Sequence, residues 1–498
     1  MNVGTNVAYV VLNTVLMIWY VPFLVHHLGV AAYGMIPLAH SVVMYASIIS
    51  AGLDVSITRF MAIDLNEGMA DRANQTFNTA LALSLIACVI LLIPAGIVTY
   101  FFPVLFDLPS GKERETQFLF ASAVVTMLFA ILSCSFGVSS IIRHRFDLQN
   151  ILRTIVSLSR VGAVVISFTF WPASVWYVAA AFIISAGINL IGNILLWRRL
   201  TPQLHIKPSD IDPDRFRALV EVSGWSSINQ VGTLLLMQVD LIIVNIMFGA
   251  QMTGRYGSVM LIATLILTMT ATVVAVLSPA IMARYALGDV EGMKRIATRS
   301  VKLLGIGLAV PVGLLCGFGR PLLTLWLGPE FADLDILLIL LVGHLSINLA
   351  ARPLVYIITA YNRIKAEALL TIGLGVVNIV LAVAIARWGI WGVAGVAAAA
   401  AVIRTLKNVV FVSSYSAVVM GLRWWTFYAP LVAGALGTLG ISLIGRLVTN
   451  LWWPASWLSL GGMAAGVAIA YGIIALTVCI NRSDREFLWS FVNRRSHD

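Results

Sequence analysis

Fourteen apolar stretches run along this chain, at residues 5–28, 36–58, 76–101, 117–140, 151–171, 175–197, 222–248, 256–281, 300–318, 334–358, 368–386, 390–414, 426–448 and 457–480. Each is long enough to cross about 30 Å of hydrocarbon with roughly 20 helical residues. The pattern predicts an all-α polytopic membrane protein of about 14 transmembrane helices. The polar connections carry a second regularity. The first basic residue is Arg59, and most that follow sit between the same alternate pairs of spans. With the N-terminus in the cytoplasm, 20 of the 32 Lys and Arg fall in cytoplasmic connections or the tail, 5 in outer connections, and 7 within the span bounds, Arg160 and Arg352 among them. Such an excess orients a membrane protein with its basic loops inside. It predicts a bacterial inner-membrane protein with both termini in the cytoplasm.

The halves repeat. Tyr33-Gly34 opens the second span and Tyr256-Gly257 the eighth. Arg59 ends the second span and Arg284 the eighth. Glu67-Gly68-Met69 follows one and Glu291-Gly292-Met293 the other, and Trp171 and Trp391 mark later outer turns. The reading is a six-helix lobe at 1–200, a cytoplasmic linker at 201–221, a second six-helix lobe at 222–416, and two extra helices with a basic tail at 417–498. Transporters built from parallel repeats place their cargo between the halves.

Polar stripes fit that reading. Asn2, Asn6, Tyr9 and Asn13 lie on one helix face. The matching face of the seventh span carries Ser226, Gln230, Thr233 and Met237 and runs on to Asp240. Such groups either line a cavity or glue helices together; the paired stripe favours a cavity.

Intramembrane charges are costly and mark function by default. Asp54 lies one turn before Arg59 and shares a face with His40, Ser47 and Thr58. Asp240 lies deeper, in the seventh span. Arg160 sits inside the fifth, and Arg352 continues a stripe with His344 and Asn348 in the tenth. Each has a plainer reading. Asp54 and Arg59 form a structural pair, or Arg160 snorkels to the headgroups. The longer stripe makes Arg352 the strongest cavity candidate. Asp54 and Asp240 are candidate ion-coupling carboxylates.

Composition narrows the function. Hydrophobic residues make up 60% of the chain and charged ones 11%, against about 25% charged in soluble domains. The net charge of +10 is spread over cytoplasmic loops, where it meets anionic lipid headgroups rather than nucleic acid. Cys88, Cys134, Cys316 and Cys479 lie in or at the ends of apolar spans, so neither a disulfide framework nor a metal site is expected. No phosphate-binding loop, H-E-x-x-H or nucleophile elbow occurs, so no cofactor and no enzymatic activity are expected. Asp210-Ile211-Asp212-Pro213-Asp214 reads as a chain break before a helix starting near Asp214. The N-terminus has no basic region ahead of its first apolar run, so no cleavable signal is expected.

Gly52-Leu53-Asp54, Thr58-Arg59-Phe60-Met61-Ala62, Glu67-Gly68, Ala73-Asn74 and Phe77-Asn78-Thr79-Ala80-Leu81 resemble the region of spans two to three in Wzx-type polysaccharide flippases of the multidrug/oligosaccharidyl-lipid/polysaccharide exporter superfamily. Gln238-Val239-Asp240, Gly249, Tyr256, Ser278-Pro279, Arg284-Tyr285, Gly288-Asp289 and Tyr361-Asn362-Arg363-Ile364-Lys365 extend the resemblance. It implies two lobes around a central cavity that opens to alternate sides. It also implies a cargo of oligosaccharide on undecaprenyl pyrophosphate, and a pathway shared with a polymerase and glycosyltransferases. Planar, permanently charged Arg suits pyrophosphate, which makes Arg59, Arg160, Arg284 and Arg352 headgroup candidates. Asn6, Asn13, His40, Gln230, Thr233, His344 and Asn348 would line the cavity, and the neutral stripes on the first and seventh spans would face the glycan. Arginine is absent from the first span, which argues against a peptidoglycan precursor. The runner-up is an ion-coupled multidrug exporter of the same superfamily. A membrane-embedded glycan polymerase is remote, because the outer connections near 102–116 and 319–333 are short. The second of these is expected to be an amphipathic helix, with Trp326 and Phe331 at the interface and Glu330, Asp333 and Asp335 in water.

Overall fold

The computed structural model describes residues 2–389, 391–481 and 484, without the side chains of 2, 3, 45–47, 49, 66, 225, 226 and 229. Asn2, Ser47 and Ser226 of the expected stripes therefore lie outside the described side chains, and the basic tail beyond 484 lies outside the described residues. The described chain forms α1 (Asn2–Leu28), α2 (Val30–Asn66), α3 (Ala70–Leu105), α4 (Glu113–Ile142), α5 (Phe146–Phe170), α6 (Val175–Leu200), α7 (Pro213–Met237), α8 (Val239–Ala275), α9 (Ser278–Ala286) and α10 (Val290–Gly317). It continues as α11 (Gly319–Trp326), α12 (Asp335–Val342), α13 (Leu345–Ala350), α14 (Val355–Ala360), α15 (Ile364–Trp388), α16 (Gly392–Thr405), α17 (Ser413–Val419), α18 (Ala429–Leu451) and α19 (Trp457–Ile474). No strand forms among the described residues.

Twelve helical stretches among the described residues are long and apolar enough to cross a membrane. One of them, Gln230–Ala286, has 57 residues, far more than the roughly 20 that a crossing needs. It holds the expected seventh and eighth spans, and Gly249, at φ 82°, turns the chain between them. The expected second span lies in α2, whose Val30–Met44 part is a shorter apolar helix. Large side chains such as Val89, Ile93, Val104, Leu439 and Leu458 stand more than half exposed. A soluble protein would not leave such faces bare; a lipid solvent requires them.

The chain divides into two compact units, residues 1–258 with 371–387, and residues 259–370 with 388–498. α7 packs against α2 and α3 and so falls in the first of these units. Gly52 of α2 lets Ser223 and Ser227 approach its backbone. Ser56 and Ser223 share a hydrogen bond of 2.8 Å, and Ser227 donates to the Ile48 carbonyl. Gly34 and Gly254 approach so closely that a Cβ on either would overlap the other segment's backbone.

The connection between α6 and α7 is held by α3. Asn74 accepts the His205 amide at 2.7 Å and donates to Asp210 at 2.6 Å. Asn78 bonds the His205 carbonyl and the Lys207 amide, and Thr79 accepts the Asp212 amide. Asp212 then caps α7 by accepting from the amides of Asp214 and Arg215, which is the chain break expected there. At the other end of unit one, Asp107 accepts the Ala250 amide at 2.7 Å while its backbone is bonded twice by Asn245. The turn at Gly249 is thereby capped.

In the second unit α10 and α18 lie along each other through small residues. Gly305 faces Gly434, and Gly317 faces Gly445, at distances where a side chain would not fit. Lipid-embedded helices approach closely at such positions. Segment 319–334 forms α11 and a 3-10 turn, but Trp326 is only 9% exposed and Phe331 is fully buried. Both therefore fill the core of this unit rather than lying at an interface as expected. Asp335 pairs with Arg446 at 2.8 Å.

Candidate functional site

Inside the first unit, Arg160 of α5 meets groups from three other helices. Its guanidinium lies 5.9 Å above the Phe182 ring of α6. It is within electrostatic reach of Tyr9 and Tyr20 of α1 and of His40 of α2. Its Nε is buried and makes no hydrogen bond among the described residues, and the same holds for the Tyr20 hydroxyl. The groups that act on this arginine are phenols, not carboxylates. A guanidinium offers planar donors of the geometry that phosphate and carboxylate oxygens accept. His40 keeps an exposed surface. Asn13 accepts from Ser157 of α5 at 3.3 Å, so part of the α1 stripe joins helices, and Asn6 is half-buried.

The second unit holds the larger charged group. The expected tenth span is not one helix. It breaks at Gly343-His344, between α12 and α13, and again at a 3-10 turn, Arg352–Leu354, before α14. Pro353 has no amide to donate and disfavours helical backbone before it. Arg352 stands at this break. It lies within electrostatic reach of Tyr356 and Glu367, and Lys407 is within reach of both Arg352 and Glu367. Lys407 Nζ is 3.7 Å from Glu367 Oε1, and both side chains are largely buried. Lys407 opens out of a π-helical segment, Leu406–Val412, a local widening common at functional sites. Irregular backbone inside a membrane protein is tolerated where it builds a site. One turn before Arg352, Asn348 bonds His344 at 2.7 Å and Thr405 at 3.1 Å. Arg404 is within electrostatic reach of His344.

The other candidates lie elsewhere. Arg59 is exposed and does not pair with Asp54. Five residues apart on one helix they point about 140° away from each other. Asp54 instead interacts with Cys134 and Arg153. Arg284 is exposed and tied to Asp289 at 2.7 Å, while Asp289 caps α10 through the Gly292 amide. The Gly292 amide and the Arg284 guanidinium hold the Asp289 carboxyl below its usual range. In the structure Arg284 thus supports the cap of α10. Asp240 is buried, with the Tyr256 hydroxyl 3.5 Å from its Oδ2, so it leaves the solvated stripe. Gln230 and Thr233 are half-buried on α7. Tyr9 belongs to the first-span stripe, whereas Tyr20, Glu367, Arg404 and Lys407 carry no such signal in the sequence. Arg404 and Lys407 fall inside the twelfth apolar stretch and Glu367 just before the eleventh.

Bundles of membrane-length helices with cations and neutral polar groups inside define a membrane transporter. The chain belongs to the polysaccharide biosynthesis protein family, whose pattern matches residues 1–284, and the resemblance to Wzx-type flippases is borne out. It is 28% identical over 487 residues to an uncharacterized membrane protein, EpsK, of Bacillus subtilis (strain 168), covering 98% of this chain and 96% of that one. It is 24% identical over 341 residues to a putative O-antigen transporter of Shigella flexneri, covering 66% and 78%. Its fold is similar to the lipid II flippase MurJ in an inward closed conformation, with TM-score 0.68 at 11% identity over 94% of this chain and 97% of that one. It is also similar to an inward-facing multidrug resistance MATE family transporter of the MOP superfamily, with TM-score 0.62 at 17% identity over 86% and 95%.

Proposed function

We propose that this transporter flips an oligosaccharide on undecaprenyl pyrophosphate from the cytoplasmic to the outer leaflet of a bacterial inner membrane, by alternating access, for exopolysaccharide, capsule or O-antigen synthesis. Both termini face the cytoplasm. The observation that carries this reading is the group of Arg352, Lys407 and Glu367. Two cations against one carboxylate leave positive charge inside a helical bundle. An arginine inside a span costs roughly 2.5–3.5 kcal/mol on insertion scales, and a pyrophosphate is the ligand that would repay it. Arg160, with its unneutralised guanidinium, supports the same reading from the first unit. The neutral side chains around each cation suit sugar hydroxyls. The family and the Shigella flexneri relative support a role in surface polysaccharide.

The test is deletion in a strain with one such gene. Loss of the surface polymer, with its lipid-linked intermediate held on the cytoplasmic leaflet, is the expected result. The buried Asp240 beside Tyr256 is the feature a cation-coupled drug exporter would use. Unchanged polymer with raised sensitivity to cationic dyes would favour that second reading.

A further inference from the structure

The hydrogen bonds around His344 fix which of its nitrogens carries the proton. The Thr405 hydroxyl donates to the Ala401 carbonyl at 2.7 Å. A hydroxyl has one proton to give, so Thr405 meets Asn348 as an acceptor. The Asn348 atom facing it at 3.1 Å is therefore the amide nitrogen, an assignment set by the network. That same nitrogen lies 2.7 Å from His344 Nδ1, which must accept. A protonated ring would set an N–H against the amide, so this is the arrangement of a neutral imidazole with its proton on Nε2.

His344 Nε2 is buried and has no partner among the described residues, and the same is true of Asn348 Oδ1. Asn348 is 1% exposed. One oriented donor and one oriented acceptor are thus left unused on neighbouring side chains. They lie on the stripe that continues to Arg352, where the helix is broken. Buried polar groups are ordinarily satisfied, and an exception asks for a reason. A phosphate oxygen would suit the donor but not the acceptor. A sugar hydroxyl, or the amide of an N-acetyl group, offers both a proton and lone pairs.

We propose that His344 Nε2–H and Asn348 Oδ1 form a neutral subsite for a hydroxyl or amide of the carried glycan, held in register by Thr405; this rests on the flippase reading above. Its ligand class differs from that of Arg352. The cation addresses the pyrophosphate common to all such lipids, and the His344 pair addresses the sugar.

The test uses purified full-length protein in nanodiscs and two probes, undecaprenyl pyrophosphate and the same lipid carrying the host oligosaccharide. His344→Phe keeps a planar ring and removes the donor. It should weaken binding of the glycan lipid about tenfold, the worth of one hydrogen bond, and leave the bare lipid within about twofold. Equal loss of both lipids, or no change in either, would overturn the proposal. Thr405→Val should act like His344→Phe, and Thr405→Ser should restore binding. Nitrogen-15 NMR of labelled His344 in the wild-type protein should show the Nε2–H tautomer. The Nδ1–H tautomer would overturn the proposal even if no variant folds. Wild-type protein that binds neither lipid would remove the flippase reading and the glycan subsite with it, while the tautomer result would stand.

Discussion

Asn78 donates to the carbonyl of His205 at 2.9 Å and accepts the amide of Lys207 at 2.7 Å. One side chain thus reads two backbone groups of the connection between α6 and α7. Asn74 and Thr79, one turn before it and beside it, do the same for His205 and Asp212. These are the residues of α3 on which the family resemblance rests. Their part here is to hold backbone, not cargo.

Asn78→Ala should therefore destabilise the protein without touching a cation inside the bundle. Two part-buried hydrogen bonds to backbone are lost, at about 1 kcal/mol each. A lower thermal midpoint in detergent is expected, with Asn78→Asp intermediate because it keeps only the acceptor. An unchanged midpoint would mean that the connection is held by other contacts.

Arg352→Ala should keep membrane abundance and lose most transport. Lys407 remains beside Glu367 at 3.7 Å, so the carboxylate keeps a partner. Arg352→Lys should recover part of the activity, since a point charge cannot hold a phosphate bidentately, and Arg352→Glu should be inactive. Lys407→Ala breaks a buried pair and should cost about 3 kcal/mol, lowering abundance as well. Blotting and surface-glycan staining, done side by side, separate the two effects. Full transport in Arg352→Ala would remove Arg352 from the cargo site.

Acid should weaken the cap at α10. The folded Asp289 carboxyl is held below its usual value of 3.8 by the Gly292 amide and Arg284. Its stabilisation is therefore complete above 3.8 and fades as the pH falls through the lower folded value. The difference in thermal midpoint between wild type and Asp289→Asn should be largest at neutral pH and shrink under acid. A difference that grows under acid would contradict the cap.

Orientation can be read by thiol labelling in a background without the four native cysteines. Cysteine at Ser110 or Ala455 should react with an impermeant reagent in intact cells, and cysteine at Glu291 should not. All three positions are exposed. The reverse pattern would invert the topology drawn from the basic loops.

The spans were legible because length and hydropathy decide them. The cations at Arg160 and Arg352 were legible because charge is rare there. What escaped was pairing across distance. Glu367 and Lys407 lie forty positions apart, and neither alone signals the other. Asp107 gave no hint that it caps the turn at Gly249. The tenth span looked continuous because its apolar content is unbroken; Pro353 was the one local sign of a break. Trp326 and Phe331 looked interfacial beside three acids, yet both fill a core, since periodicity cannot say which neighbour covers a face.

The clamp on residues 205–212 bears on how relatives can be recombined. A hybrid joined in that segment would separate Asn74, Asn78 and Thr79 from the backbone they recognise only if the graft shifts its register, since side chains read main-chain groups whatever the sequence. The serine contacts between α2 and α7 are less forgiving. A crossover in the connecting segment gives α2 a foreign α7, and Gly52 then faces whatever replaces Ser223 and Ser227. Domain shuffling within this family should succeed more often when the crossover falls after Ser258, where the long first stretch of that unit ends, and residues 371–387 travel with it, than where the sequence repeat begins again.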